Sequence, residues 1–131
     1  MQLRNISSAD YNDLLHLAME YCKEVGFNTD SVTLNKYVQW ILTTKSIVAV
    51  SNDKAVGIIS YIVYPHHLTN ELCGKKIAWF VLKEHRGIGA KLLYKAEQAV
   101  KELGAKRFYC ATPTKMPKAY TSIETDYVKE L

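Results

Sequence analysis

The chain has 131 residues, of which 48% are apolar and 23% charged, the length and balance expected of one globular domain spanning 1–131. The formal net charge of +4 is mild, and the basic residues form no long run. That pattern speaks against a nucleic-acid partner, while an anionic ligand would be welcome, and no apolar run approaches the roughly 18–20 residues that span a bilayer.

Residues 2–6, QLRNI, read as a short first strand. Ser7 or Ser8 can then cap a helix with Asp10 in its first turn. Apolar residues at Tyr11, Leu14, Leu15, Ala18, Cys22 and Val25 have helical spacing, and Gly26 stops the run. Asp30 or Ser31 caps a second helix with Leu34, Val38, Ile41 and Leu42 inward. Residues 46–50 and 55–64 alternate as strands around the turn Ser51-Asn52-Asp53, which predicts a hairpin. Residues 68–75 are polar, and Gly74 marks a second turn. The nearly continuous apolar run 76–82, KIAWFVL, predicts a central strand covered on both faces. A loop over 83–89 leads to a helix ending near Leu103, with Ile88, Leu92, Leu93, Ala96, Ala99, Val100 and Leu103 inward. Residues 106–112 make the next strand. Pro113 and Pro117 then break regular structure, and residues 123–128 offer a last strand. The order β-α-α-β-β-β-α-β predicts a mixed α/β (α+β) fold, a mostly antiparallel sheet with flanking helices. The edge exposed by the final strand makes a homodimer a candidate assembly.

Cys22, Cys73 and Cys110 stand far apart, with no CxxC pair and no Cys/His group at metal-ligand spacing. Free thiols in a reducing compartment, a cytoplasmic location and no bound metal are expected. The opening residues MQLRNISSADYND carry no signal-peptide core.

Chemistry is concentrated in residues 80–93, FVLKEHRGIGAKLL. A buried strand enters a loop bearing Gly87 and Gly89, and the loop opens a helix. Glycines let a backbone approach a ligand closely. The free N–H groups of the helix's first turn, with its dipole, suit a phosphate or pyrophosphate. Lys83, Arg86 and Lys91 would add positive charge, and the Arg86 fork matches phosphate oxygens. The alternative is that both glycines only shape a strand-to-helix turn. GxxxxGK[ST] and GxGxxG are both absent, which excludes a P-loop and a dinucleotide fingerprint.

Glu84-His85-Arg86-Gly87-Ile88-Gly89, continued by Ala90-Lys91-Leu92-Leu93, resembles the coenzyme-A-binding motif of the GNAT family of N-acetyltransferases. That motif is an Arg or Gln, two variable residues, Gly, one residue, then Gly or Ala, before an apolar-striped helix. Residues 102–109, ELGAKRFY, resemble the following helix end and fifth strand, and residues 119–131, AYTSIETDYVKEL, the end of compact phage-type members. The resemblance implies acetyl-CoA as cofactor and an amine of a small molecule or a protein as acceptor, attacking the thioester directly. It implies that Phe80, Val81 and Leu82 hold the pantetheine arm, and that Glu84, His85, Arg86, Gly87, Ile88, Gly89, Ala90 and Lys91 form the pyrophosphate loop. It also implies an acid for the departing thiolate, for which Tyr120 is the first candidate by position and Tyr109 the second. His67, His66 and Glu71 are the candidate bases beside the acceptor. The first two helices border the acceptor pocket in this family, where Tyr21, Phe27, Tyr37 and Trp40 either line it or pack on the sheet. Cys110 reads as a core residue. Glu84 stands where the family has Arg or Gln, and the segment after the fifth strand lacks the family's Tyr-x-x-x-Gly-Phe run. These two departures leave a second reading, a non-catalytic domain of the same fold that binds a protein or nucleic-acid partner.

Overall fold

The computed structural model describes residues 1–112, 116–123 and 129–131. The chain runs β1 (Gln2–Asn5), α1 (Tyr11–Val25), α2 (Ser31–Leu42), β2 (Lys45–Ser51), β3 (Lys54–Pro65), β4 (Leu72–Val81), α3 (Gly89–Glu102) and β5 (Arg107–Tyr109). Short 3₁₀ turns at Ser8–Asp10 and Lys83–Ile88 lead into α1 and α3. The strand expected over 123–128 lies outside the described residues except for Ile123.

Local chemistry sets the element ends. Gly26 takes the left-handed conformation (φ 79°) that closes α1, and the Phe27 N–H reaches back to the Cys22 carbonyl at 2.9 Å. The Asp30 carboxylate caps α2 by accepting from the Thr33 N–H at 2.8 Å. Asn52 and Asp53 both have positive φ, the geometry of a tight hairpin turn between β2 and β3. Before α1, the Asp10 carboxylate accepts from the Ser7 N–H at 2.9 Å and from both Arg4 terminal nitrogens at 2.9 and 2.7 Å. Asp10 is thus a buried ion-pair partner of β1 rather than only a first-turn charge.

The five strands among the described residues lie in sequence order, β1-β2-β3-β4-β5, antiparallel throughout except for the parallel β4–β5 pair. Strand alternation divides the core into two layers. Val48, Ala55 and Ile58 meet Leu14, Leu17, Val38 and Ile41 of α1 and α2. Ile47, Ala49, Val56, Ile59 and Val81 meet Leu92, Leu93, Ala96 and Val100 of α3. Helices therefore cover both faces of a mostly antiparallel sheet.

Gly74 departs from expectation. It lies inside β4, opposite Val63 on one side and Phe108 on the other, and the turn falls earlier, at 66–71 with Asn70 at φ 61°. A Cβ at Gly74 would sit 2.9 Å from both Val100 Cβ and Phe108 Cδ1. The glycine is there so that α3 can approach β4 closely, not to bend the chain. The fifth strand is also shorter than expected, ending at Tyr109, where its pairing with β4 stops although β4 itself continues to Val81.

Candidate active site

β4 and β5 pair at only three positions, Cys73–Arg107, Gly74–Phe108 and Lys75–Tyr109. Beyond them, residues 76–81 of β4 have no neighbouring strand on that side among the described residues, so the sheet opens into a wedge. Its apex lies just past Lys75 and Tyr109. A register shift at Ser60/Tyr61 coincides with the apex: Ser60 faces Ala78 and Tyr61 faces Lys76, which leaves Ile77 as the extra residue of a bulge. The Leu82 N–H bonds to the Val56 carbonyl at 2.9 Å. By antiparallel alternation the backbone groups of Phe80 also turn to β3, and those of Trp79 and Val81 face the wedge. The Val81 carbonyl accepts from Arg86 Nε at 2.9 Å.

At the wide end of the wedge stands the loop. The chain kinks at His85 (φ −122°, ψ 15°), whose N–H bonds to the Leu82 carbonyl at 2.9 Å, and α3 starts at Gly89. Among the described residues, a Cβ at Gly87 would meet nothing within 4 Å, and one at Gly89 would make only ordinary contact with the Trp79 ring at 3.8 Å. Packing within the chain therefore demands neither glycine. The bare backbone at Gly87 is available to something outside, next to the N–H groups of a 14-residue helix.

The charges around the loop are arranged in a way the residue types alone do not reveal. Arg86 ion-pairs with Glu24 of α1 and lies 5.6 Å from the Phe80 ring centroid. The Arg86 hydrogen bond holds the Glu24 carboxyl below its ordinary pKa. Glu84 and Lys83 are exposed. Ala90 and Lys91 line a shallow depression of about 360 Å³ with Tyr94, Lys95 and Leu3. Because Leu3 belongs to β1, that depression is on the flank of α3 away from the wedge.

Beneath α3, at the apex, four polar side chains converge. The Tyr120 hydroxyl donates to Glu97 of α3. Burial, then the Glu97 hydrogen bond, raises the Tyr120 pKa far above that of an ordinary phenol, so the group stays protonated. Cys110, half-buried, feels both Glu97 and Lys76, and burial pushes its thiol pKa up. Burial pulls the half-buried Lys76 ammonium down. The arrangement offers a phenolic proton and a positive charge at the narrow end, and backbone donors at the wide end.

The profile of the acetyltransferase (GNAT) family matches residues 11–120. The chain belongs to the GNAT acetyltransferase family. A GNAT family acetyltransferase from Staphylococcus aureus superposes with a TM-score of 0.77 at 20% identity, covering 99% of this chain and 98% of that one. A ribosomal-protein-alanine N-acetyltransferase from Brucella melitensis biovar Abortus gives 0.76 at 15% identity over 99% and 98%. An aminoglycoside N-acetyltransferase solved in complex with CoA gives 0.69 at 13% identity over 85% and 76%. No curated protein matches the sequence significantly. At these identities the structural likeness is one of fold.

On this GNAT fold the expected acid and the expected bases are not brought together. His67 and Glu71 belong to the β3–β4 turn, where the His67 ring stacks on His66 at 4.8 Å and the Glu71 carbonyl accepts from the His66 N–H at 2.8 Å. Glu71 precedes Lys76 by five residues, about 16 Å along a strand. Tyr109 points to the opposite face from Tyr120 and stacks on His66 at 6.2 Å. On the α1/α2 face, Tyr21 meets Phe80 edge-on at 5.5 Å and Phe27 at 6.5 Å, and Tyr37 meets Trp40 at 6.1 Å. Phe80 thus joins that face to the loop by its side chain. Sequence reasoning missed Trp79, Lys76 and Glu97. Strand parity counted from Leu82 finds Trp79, but the bulge hides Lys76, and nothing local marks Glu97. Among the described residues no cluster of His, Cys, Asp and Glu could hold a metal, and no helix is long and apolar enough to cross a membrane.

Proposed function

We propose that the protein transfers the acetyl group of acetyl-CoA to an amine of a small molecule or a protein, by direct attack of the amine on the thioester. The observation that carries this reading is the unpaired edge of β4 running from a bulge to the N-terminus of α3, in a chain of the GNAT family. Acetyl-CoA supplies the activated acyl group. Backbone groups of Trp79 and Val81 offer strand-like hydrogen bonds to an amide-bearing arm laid in the wedge. The loop from Glu84 to Lys91 and the first turn of α3 receive the pyrophosphate, with Arg86 exchanging Glu24 for phosphate oxygens. Holding the thioester at the apex converts an encounter between two molecules into an oriented one. Tyr120 gives its proton to the departing sulfur. A base role for His67 or Glu71 requires an acceptor that reaches the β3–β4 turn. A neutral amine attacks without one.

A non-catalytic domain of this fold is the second reading, favoured by the engagement of Arg86 with Glu24 and by Glu84 in the motif. Calorimetric titration with CoA and acetyl-CoA tests the cofactor slot on which the enzymatic reading depends. Saturable binding at one site per chain is expected. Gly87→Val should weaken it at least tenfold, since a side chain there meets ligand and not protein, with no change in thermal midpoint. No binding to the wild-type protein overturns the enzymatic reading and sends the search to protein partners.

A further inference from the structure

Lys76 is a half-buried cation with no ion-pair partner among the described residues. Lysines are seldom buried without a partner, because removing the ammonium from water is costly unless an anion or hydrogen bonds offset it. Its place in the sheet is specific. Lys75 and Tyr109 form the last closed pair of β4 and β5, so Lys76 of β4 and Cys110, just after β5, are the first residues beyond the apex. Tyr61, opposite Lys76, packs in the α3 layer, and so does Phe108, two residues before Cys110. By alternation Lys76 and Cys110 share that face, where Glu97 of α3 and Tyr120 also lie. The titratable groups facing Lys76 are therefore Cys110 from β5, Glu97 from α3, Tyr61 from β3 and Tyr120 from the tail. Among them only Glu97 is a carboxylic acid, and it is already engaged by Tyr120.

We propose that Lys76 is a catalytic residue whose ammonium lies beside the thioester sulfur and stabilises the negative charge that sulfur takes up as the acetyl group leaves. The inference rests on the acetyl-CoA reading above. In the transfer, the amine nitrogen bonds to the acetyl carbon, the carbon–sulfur bond breaks and its electron pair stays on sulfur. The amine releases one proton to water. Sulfur gains one from the Tyr120 phenol, which recovers it from water, and Lys76 exchanges none. The desolvation that pulls the Lys76 ammonium down in the free protein is offset when an anion arrives beside it.

The test reads the thiol of bound CoA, so it requires no knowledge of the acceptor. In a Cys110→Ser background, thiolate ultraviolet absorbance is followed against pH with CoA bound, using thiol-free desulfo-CoA as blank. With Lys76 present the bound thiol should titrate about one unit lower than in Lys76→Met. Lys76→Arg, which keeps the charge, should restore most of that shift, and CoA affinity at neutral pH should hardly differ among the three. Equal thiol titration in all three, with CoA bound, overturns the proposal and leaves Lys76 as a stem packed on the sheet, while the cofactor slot stands. Failure of the background protein to bind either CoA or desulfo-CoA overturns the slot and the proposal together.

Discussion

The carboxylate of Asp10 is 3% exposed and accepts hydrogen bonds from both Arg4 terminal nitrogens and from the Ser7 N–H. The Arg4 hydrogen bonds hold its pKa below the ordinary value of 3.8. A depressed folded-state pKa means that the unfolded chain binds the proton more readily. Asp10 therefore contributes its stability fully above the unfolded value and loses it as pH falls through the folded one. Replacing Asp10 with Asn should cost about 1–3 kcal/mol at neutral pH. It should also flatten the loss of stability between about pH 5 and pH 2. Urea denaturation of both proteins across that range checks the magnitude and the sign. The expectation of Asp10 in a helix's first turn was legible in the sequence. Its partner Arg4 was not, because the strand that carries Arg4 meets the turn only after folding.

β4 and α3 depend on each other through one missing methyl. Val100 Cβ and Cγ1 and Phe108 Cδ1 all come within 2.9 Å of where a Gly74 Cβ would lie. The Val100 Cβ is fixed to the helix backbone, so α3 would have to lift from the sheet. Gly74→Ala should lower stability by about 1–3 kcal/mol. The double variant with Val100→Ala should recover part of the loss, since two of the three close contacts are with Val100. Denaturation midpoints of the two single variants and the double variant decide it, and an unchanged midpoint for Gly74→Ala would show that α3 is not held that closely. Because the same approach sets the apex of the wedge, Gly74→Ala should also weaken CoA binding.

For the molecule as a whole, the proposed cofactor would lie along the open edge of β4 and over the N-terminus of α3, adding contacts to two elements that already pack on each other. A ligand that binds only the folded chain stabilises it by mass action, by about 2.7 kcal/mol at one hundred times Kd. For a chain of this size the thermal midpoint should rise by roughly 10 °C in saturating CoA. Thermal unfolding with and without CoA tests this, and desulfo-CoA should give a similar shift, since the thiol contributes little to affinity.

Amino-acid order by itself determined which segments are helices and which are strands, because the apolar periods of 3.6 and 2 and the capping residues Asp30 and Gly26 act within a few residues of chain. It also marked the glycine-bearing loop after a buried strand, and with it the family. Only the tertiary structure decided that Gly74 is a packing residue, that Arg86 reaches Glu24 on α1, and that Trp79 and Val81 turn their backbones to the wedge while Phe80 does not. It alone separated Tyr120 from His67 and Glu71 and gathered Lys76, Cys110 and Glu97 at one apex. These outcomes depend on a single-residue bulge and on partners far apart in sequence. A one-residue change of register reverses every side chain beyond it, and no local pattern records where that change occurs.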